Sequence, residues 1–209
     1  MTEKIQRTID ALKANNIEVF YAENKETIPD IVKSILNNGD TISCGGSVTL
    51  KECGVEALMR CGDYNFLDRA VAEDVQKLYR DCFSADAYLT SANAVTENGE
   101  LINVDGNANR VSCIAFGPKK VICVVGANKI VRDINEGFKR VKTVAAPKNA
   151  VRLNTNTPCK ELGHCICVDG SFADGCKSPQ RICSQYVITA FQRDKNRIKV
   201  IITPEALGY

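Results

Sequence analysis

The chain has 209 residues, of which 44% are hydrophobic and 25% charged, and a formal net charge of +2. A chain of this length can fold as one domain around a hydrophobic core, and its small net charge excludes a general attraction to nucleic acid or to anionic membranes. No apolar stretch is long enough to span a membrane, and residues 1–10 lack the pattern of a signal peptide. We therefore expect a cytoplasmic protein whose thiols are kept reduced.

The first half of the chain alternates helices with short strands. Thr2 is a candidate N-cap for a first helix whose apolar face carries Ile5, Ile9 and Leu12. Further along, the apolar pattern predicts strands at 17–21, 41–44 and 87–90, and helices at 28–36, 49–60 and 70–82. Such alternation indicates a mostly parallel sheet covered by helices.

The pattern changes in the second half. Residues 94–104 alternate around Glu97-Asn98-Gly99, which predicts an antiparallel hairpin. A buried strand at 120–125 and a helix at about 130–141 follow, and two final strands at 185–192 and 197–203 flank a turn. The predicted fold class is α/β, with a mostly parallel central sheet covered by helices and an antiparallel hairpin portion. We expect a single domain over residues 1–209, in which 154–183 form a cysteine-rich loop.

A glycine loop, Gly45-Gly46-Ser47, lies between a predicted strand and a predicted helix. Glycines let the backbone approach a ligand closely, the amides of a helix's first turn attract an anion, and Ser47 or Thr49 adds a hydroxyl. The spacing matches neither a Walker loop nor the dinucleotide fingerprint. A tight turn with an N-cap is the alternative interpretation.

Short polar side chains crowd the two strand ends around the hairpin. The candidate ligand-binding residues there are Asn93, Thr96, Asn103, Asp105, Gly106, Asn109 and Arg110. Ligands of parallel α/β sheets bind outside the carboxyl ends of the strands, so these residues could hold a polar or carboxylate ligand together with the glycine loop, and Asp105 could orient a hydroxyl. Ordinary turn chemistry is the alternative.

Cysteines are the most informative feature of the composition. Six of the eleven are scattered, and several of these lie in apolar segments where they resemble small buried hydrophobic residues. The other five crowd into an aperiodic segment: Cys159, Cys165, Cys167, Cys176 and Cys183. Thiolates suit an iron–sulfur cluster or tetrahedral zinc, and redox-active thiols without a metal are a third interpretation. His164, the only histidine, lies beside Cys165 and could be a metal ligand, although it is expected to face solvent.

The single histidine argues against a Ser–His–Asp triad or a His-rich catalytic metal site. Acid–base chemistry would then fall to other groups, and Glu52, near the glycine loop, is the first candidate. Solvation on a helix surface is its alternative role. Residues 119–152 carry nine Lys or Arg with almost no aromatic residues, which is typical of a solvated helix face and argues against nucleic-acid binding. An anionic ligand or a partner could also use this stretch.

Four segments resemble motifs of the lactate-utilisation (LUD) domain family, in particular of the C subunit of the bacterial lactate-utilisation system. They are residues 45–52, 89–111, 117–121 and 125–129. The resemblance implies a fold similar to ribose-5-phosphate isomerase and CoA-transferase domains, and it favours a ligand site at the polar loops. By resemblance to the tails of some relatives, Cys159, Cys165, Cys176 and Cys183 would be the metal ligands, although Cys167 could replace Cys165.

The leading hypothesis is therefore an accessory electron-transfer protein in the oxidation of lactate or a related 2-hydroxy acid. It would bind a small anionic ligand, hold a 4Fe–4S cluster and associate with iron–sulfur partner subunits. The alternative is a non-redox CoA-transferase-like or sugar-phosphate-binding enzyme with a structural zinc. A third hypothesis is a ligand-sensing or interaction protein whose metal only stabilises the tail.

Overall fold

The computed structural model describes residues 1–209, which form ten strands and nine α-helices. The strands are β1 (Glu18–Tyr21), β2 (Thr41–Cys44), β3 (Asn65–Leu67), β4 (Ala87–Thr90), β5 (Ala94–Thr96), β6 (Leu101–Asp105), β7 (Lys120–Gly126), β8 (Ile130–Val131), β9 (Gln185–Thr189) and β10 (Ile198–Thr203). The helices are α1 (Glu3–Ala14), α2 (Ile28–Ile35), α3 (Val48–Glu52), α4 (Val55–Met59), α5 (Val75–Asp81), α6 (Asn109–Ala115), α7 (Ile134–Arg140), α8 (Ala146–Leu153) and α9 (Pro158–Leu162). A π-helical turn, Val141–Ala145, joins α7 to α8. None of these helices combines the length and the apolar composition that crossing a bilayer requires.

Six parallel strands form the central sheet, in the order β1-β10-β7-β4-β2-β3. Both faces are covered. In β7, Ile122 and Val124 join one core cluster, whereas Val121, Cys123 and Val125 join the other. The helices α2, α3 and α4 pack on the first face, and α1 packs on the second. Burial on both faces explains the continuous apolar sequence of this strand.

A second sheet, in the order β8-β5-β6-β9, packs beside α1. Strands β5 and β6 form the predicted antiparallel hairpin, and Gly99 in its turn has a φ of +84°. Strand β9 pairs antiparallel with β6, and β8 pairs parallel with β5. The predicted fold class, a mostly parallel α/β sheet with an antiparallel portion, is confirmed.

Several predicted elements differ from the structure in their bounds. The helix predicted at 49–60 is broken at Gly54, whose left-handed backbone (φ +75°) separates α3 from α4. The helix predicted from residue 70 begins only at Val75, because the Asp74 side chain accepts the Lys77 amide and caps it there. The two final strands lie in different sheets. Strand β10 enters the central sheet between β1 and β7, and β9 extends the hairpin.

Candidate functional site

A cleft of about 380 Å³ opens where β2, β4 and β7 end and where the hairpin begins and ends. It lies at the carboxyl edge of the central sheet, which is where parallel α/β sheets bind ligands. The predicted ligand residues that line it are Gly46, Ser47, Thr49, Asn93, Asp105, Gly106, Asn109 and Arg110. The fold therefore brings the glycine loop and the polar hairpin together, as the sequence analysis expected.

Three predicted ligand residues lie outside the cleft lining. A Cβ atom on Gly45 would lie 2.7 Å from Cδ of Arg110, so this glycine makes room for the arginine side chain. Asn103 is buried in β6 and accepts a hydrogen bond from Arg110. Thr96 is buried in β5, where its hydroxyl contacts Glu100. None of the three has a direct route to a ligand in this arrangement.

Arg110 is the structural centre of the polar hairpin. Its Nε donates to Asp105 at 3.1 Å, and its two terminal nitrogens each donate to two oxygen atoms. Those acceptors are the Ser91 carbonyl (2.9 Å), the Asn103 side chain (2.8 Å), the Asn93 side chain (2.7 Å) and the Val104 carbonyl (2.9 Å). A guanidinium has five N–H donors, and all five are engaged here. Ligand binding by Arg110 stays a prediction, and it would require one of these bonds to be exchanged.

Asp105 also binds the backbone at Arg110. Its carboxylate also accepts the backbone amides of Arg110 and Val111, at 2.8 and 2.9 Å, and so caps α6. Between these residues, Ala108 has a φ of +61°, a left-handed conformation that is unfavourable for a side-chain-bearing residue. The loop tolerates this strain because it is tied at both ends by the Asp105–Arg110 pair.

Positive charge dominates the cleft. The basic side chains that line it are Arg69, Arg110, Lys129, Arg152 and Arg181, whereas its only acidic side chain is Asp105. The Asp105 carboxylate is already paired with Arg110. The exposed guanidinium of Arg152 donates to neutral oxygens, those of Asn149 and the Tyr209 hydroxyl. A concave surface with such an excess of positive charge concentrates small anions.

Lys129 is the candidate site residue that sequence reasoning missed. It ends the short 3₁₀ turn after β7, and its side chain is buried at the cleft (3% exposed). Its Nζ donates to the hydroxyls of Thr49 (2.8 Å) and Ser91 (2.9 Å) and contacts no carboxylate. Burial, reinforced by the nearby charge of Arg140, lowers the pKa of Lys129 to about 7. Its position directly after a buried strand of a parallel sheet was the signal that could have identified it.

The solvated-face interpretation of the basic stretch is wrong for three of its residues, because Lys129, Arg140 and Lys142 are buried. Arg140 donates to the carbonyls of Asn128 and Asn93, and burial lowers its pKa to about 10. Each of these side chains therefore fixes a loop next to the cleft or the cysteine segment.

Glu52, the predicted acid–base residue, does not line the cleft. It lies exposed at the end of α3, where its carboxylate accepts the Gly208 amide at 2.6 Å. That bond holds the Leu207–Tyr209 segment against the cleft, and Tyr209 lines it. The structure gives Glu52 a role in positioning this segment, and direct acid–base catalysis by Glu52 stays a prediction.

The cysteine segment surrounds a second, much smaller cavity of about 20 Å³. The thiols that line it are those of Cys159, Cys165, Cys176 and Cys183. Cys167 does not line it, and its sulfur lies 3.9 Å from the Ser171 carbonyl. Burial raises the pKa of the Cys183 thiol, Arg181 opposes this rise, and Cys165 and Cys176 add to it. No group of three or more His, Cys, Asp or Glu side chains has the close arrangement of a metal site.

Several contacts attach the cysteine segment to the rest of the fold. Lys142 donates to the carbonyls of Val168 (3.1 Å) and Gly170 (2.8 Å). The Phe172 ring packs against Phe138 and Tyr186, with centroids 4.7 and 4.5 Å apart. Residues 179–182 of the segment line the large cleft, so that Arg181 borders both cavities.

The remaining cysteines mostly confirm the expectation of buried packing residues. Cys53, Cys82, Cys113 and Cys123 are buried, Cys44 is half-buried, and only Cys61 is exposed. Burial raises the pKa of Cys123 to about 11, which keeps its thiol protonated at neutral pH. His164 is exposed, as expected.

Similar solved structures place this fold among known ones. A DUF162 family protein from Deinococcus radiodurans matches with a TM-score of 0.55 and 16% identity, and the match covers 96% of each chain. The delta subunit of eIF2B from Chaetomium thermophilum matches with a TM-score of 0.37 and 18% identity, over 63% of this chain and 54% of that one. Ribose 5 phosphate isomerase A from Neisseria gonorrhoeae matches with a TM-score of 0.35 and 16% identity, over 64% and 56%.

No curated protein matches the chain. The DUF162 structure, aligned over nearly the full length of both chains, supports the α/β fold. A sequence model of the LUD domain family matches residues 5–203. The chain therefore belongs to the LUD domain family, and this membership suggests a role in lactate utilisation.

Proposed function

We propose that this LUD-domain protein is an accessory redox subunit in the oxidation of lactate or a related 2-hydroxy acid. It binds a small anionic ligand in the large cleft and holds a metal centre with four cysteines beside it. The observation that carries the proposal is the adjacency of the two cavities. Residues 179–182, between Cys176 and Cys183, line the cationic cleft, and both of these cysteines line the small cavity.

The anionic part of the proposal rests on unpaired positive charge. Arg69 and Arg152 present exposed guanidiniums to the cleft without a carboxylate partner, and Ser47 and Asn109 add neutral hydrogen-bonding groups. An Arg fork binds a carboxylate in a bidentate manner, which suits a 2-hydroxy acid. The ligand hydroxyl would then lie among the short polar side chains of the hairpin.

The metal part of the proposal rests on the four thiols that line the small cavity. Four thiols on one cavity match the soft ligands of an iron–sulfur cluster or of zinc, and Cys167 does not line that cavity. The residues that would hold the centre are Cys159, Cys165, Cys176 and Cys183. An iron–sulfur cluster would supply one-electron transfer to partner subunits. The thiols would have to move closer together than they lie here.

Metal analysis of protein purified without oxygen tests the proposal. We expect a brown protein with iron and sulfide in near-equal amounts. Cys159→Ser and Cys183→Ser should lose the visible absorption, whereas Cys167→Ser, the matched control, should keep it. Colourless protein with one equivalent of zinc would refute the redox assignment, and freely alkylated thiols without metal would refute the centre altogether.

A second candidate function is a non-redox enzyme of the CoA-transferase or sugar-phosphate type, with structural zinc in the tail. The observation that favours it is Lys129, a buried amine on the cleft that needs no redox partner to react. CoA thioesters or sugar phosphates should then raise the melting temperature. Gly46→Asp should abolish that rise, because a Cβ at Gly46 lies 2.6 Å from Nη2 of Arg69 and the new carboxylate would neutralise it. No rise across a broad panel would refute this alternative.

A further inference from the structure

The Nζ atom of Lys129 lies at the inner surface of the cleft in an unusual electrostatic setting. Lysines this deeply buried normally pair with a carboxylate, but here the groups around the amine are Arg140, Arg110 and Cys123, with Glu52 as the only acid in range. The Glu52 carboxylate is engaged by the Gly208 amide. Glu52 therefore offsets only part of a positive charge at Nζ, and no carboxylate contacts the amine.

The hydrogen bonds around Nζ match a neutral amine. The Thr49 hydroxyl donates its own proton to the Leu207 carbonyl (3.3 Å), and the Ser91 hydroxyl donates to the Ala92 carbonyl (3.4 Å). Both hydroxyls can therefore only accept from Lys129. A neutral amine has two protons and one lone pair. The two protons are used by the two hydroxyls, and the lone pair is left without a donor from the protein.

An ammonium group in the same place would carry a third proton with no acceptor within the fold. The lowered pKa of about 7 agrees with this geometry, because it leaves a large fraction of the amine neutral at neutral pH. Desolvation next to other cations is a known way to make a lysine nucleophilic at neutral pH. Because Lys129 lines the cleft, a bound ligand can reach the lone pair.

We propose that Lys129 is a nucleophile that forms an imine with the carbonyl carbon of a 2-oxo acid held in the cleft. This inference rests on the proposed binding of a small anion at the same site. The carboxylate of the oxo acid lies against the Arg69 and Arg152 guanidiniums, and its carbonyl faces Nζ. A 2-oxo acid is the product of oxidising a 2-hydroxy acid, so both ligands fit one cleft.

The step balances without an oxidant or a cofactor. The lone pair of Nζ forms a bond to the carbonyl carbon, and the carbonyl oxygen takes one amine proton through the Ser91 or Thr49 hydroxyl. The C–O bond then breaks, and the oxygen leaves as water with the second amine proton. Amine and oxo acid thus give imine and water, and hydrolysis reverses the step.

Reductive trapping tests the inference on the full chain as purified. Protein is incubated with pyruvate and cyanoborohydride, which reduces an imine to a stable secondary amine, and intact mass and peptide mapping locate the adduct. We expect about one adduct per chain, at Lys129, and at least about tenfold less in Lys129→Arg, which keeps a long basic side chain but removes the nucleophilic amine. Lys119→Arg, at an exposed lysine paired with Asp86, is the control and should trap like the wild type.

Binding of lactate, measured by thermal shift without reductant, separates this inference from the proposed function. Lactate binding without a pyruvate adduct at Lys129 would overturn the imine and leave the anion site intact, whereas failure of both would overturn the two together. Adducts spread over surface lysines would also overturn the inference. Trapping of glyceraldehyde 3-phosphate at Lys129, but not of pyruvate, would overturn the 2-oxo acid assignment. Peptide mapping of the wild type decides the case even if Lys129→Arg does not fold.

Discussion

Replacing Arg110 by Met tests whether this arginine holds the hairpin together or binds the ligand. The substitution keeps most of the side-chain volume and removes all five side-chain hydrogen bonds. It leaves the Asp105 carboxylate, 11% exposed, without its cation, and the buried Asn103 side chain without its donor. Removing one partner of a buried ion pair costs about 3–5 kcal/mol. For a chain of this length, that loss lowers the melting temperature by about 6–20 °C.

Urea unfolding followed by circular dichroism measures this loss, and an unchanged slope would show that the unfolded state is the same. Arg69→Met is the matched control. Arg69 is exposed, so its loss should change stability by less than about 0.5 kcal/mol. If Arg110→Met costs less than about 1 kcal/mol and abolishes only anion binding, the structural role argued here is wrong and Arg110 contacts the ligand.

Three further perturbations follow from the same geometry. Gly45→Ala should cost about 1–3 kcal/mol in urea unfolding, because its Cβ would displace the Arg110 side chain; an unaffected midpoint would contradict that packing. Between pH 7 and 8.5, the unfolded chain binds the Lys129 proton more than the folded chain does, so Lys129 should add about 1–2 kcal/mol to the free energy of unfolding, against a fall from the buried cysteines. This contribution should vanish in Lys129→Met, and an unchanged pH dependence in that variant would rule out Lys129 as its source. Gly208→Ala should lower the free energy of unfolding by more than the cost of placing alanine in a left-handed backbone, which is about 1–2 kcal/mol. It should also weaken anion binding, since its Cβ would lie 2.5 Å from the Thr49 hydroxyl at the cleft. Gly39→Ala, also in a left-handed backbone but with open space around it, should show the backbone cost alone.

Sequence periodicity was sufficient to predict a helix or strand that buries one of its faces. The apolar spacing of Ile5, Ile9 and Leu12 predicted α1, and the structure buries all three. The turn at Glu97–Gly99 predicted the hairpin, because only a few residues connect its strands. Local chemistry decided both cases, so no information about distant parts of the chain was needed.

The site was harder to predict, because its chemistry depends on residues distant in sequence. The sequence predicted the glycine loop and the hairpin as polar clusters. It could not show that the N–H donors of Arg110 all bond to protein oxygens and not to a ligand. Lys129 looked like part of a basic surface until Thr49 and Ser91, respectively 80 and 38 residues away, were seen beside it. Partner strands were uncertain for the same reason, since β9 and β10 are neighbours in sequence and belong to different sheets.

Residues 179–182 line the large cleft and lie in the chain between Cys176 and Cys183, which both line the small cavity. A metal centre bound by both sulfurs would restrict the motion of this segment. The segment would then lose less conformational entropy when a ligand binds against it. By thermodynamic linkage, a ligand that favours the ordered segment would increase the affinity of the cysteines for the metal by the same factor. Binding of a metal centre by these cysteines would then be coupled to ligand binding in the large cleft through a few residues of backbone.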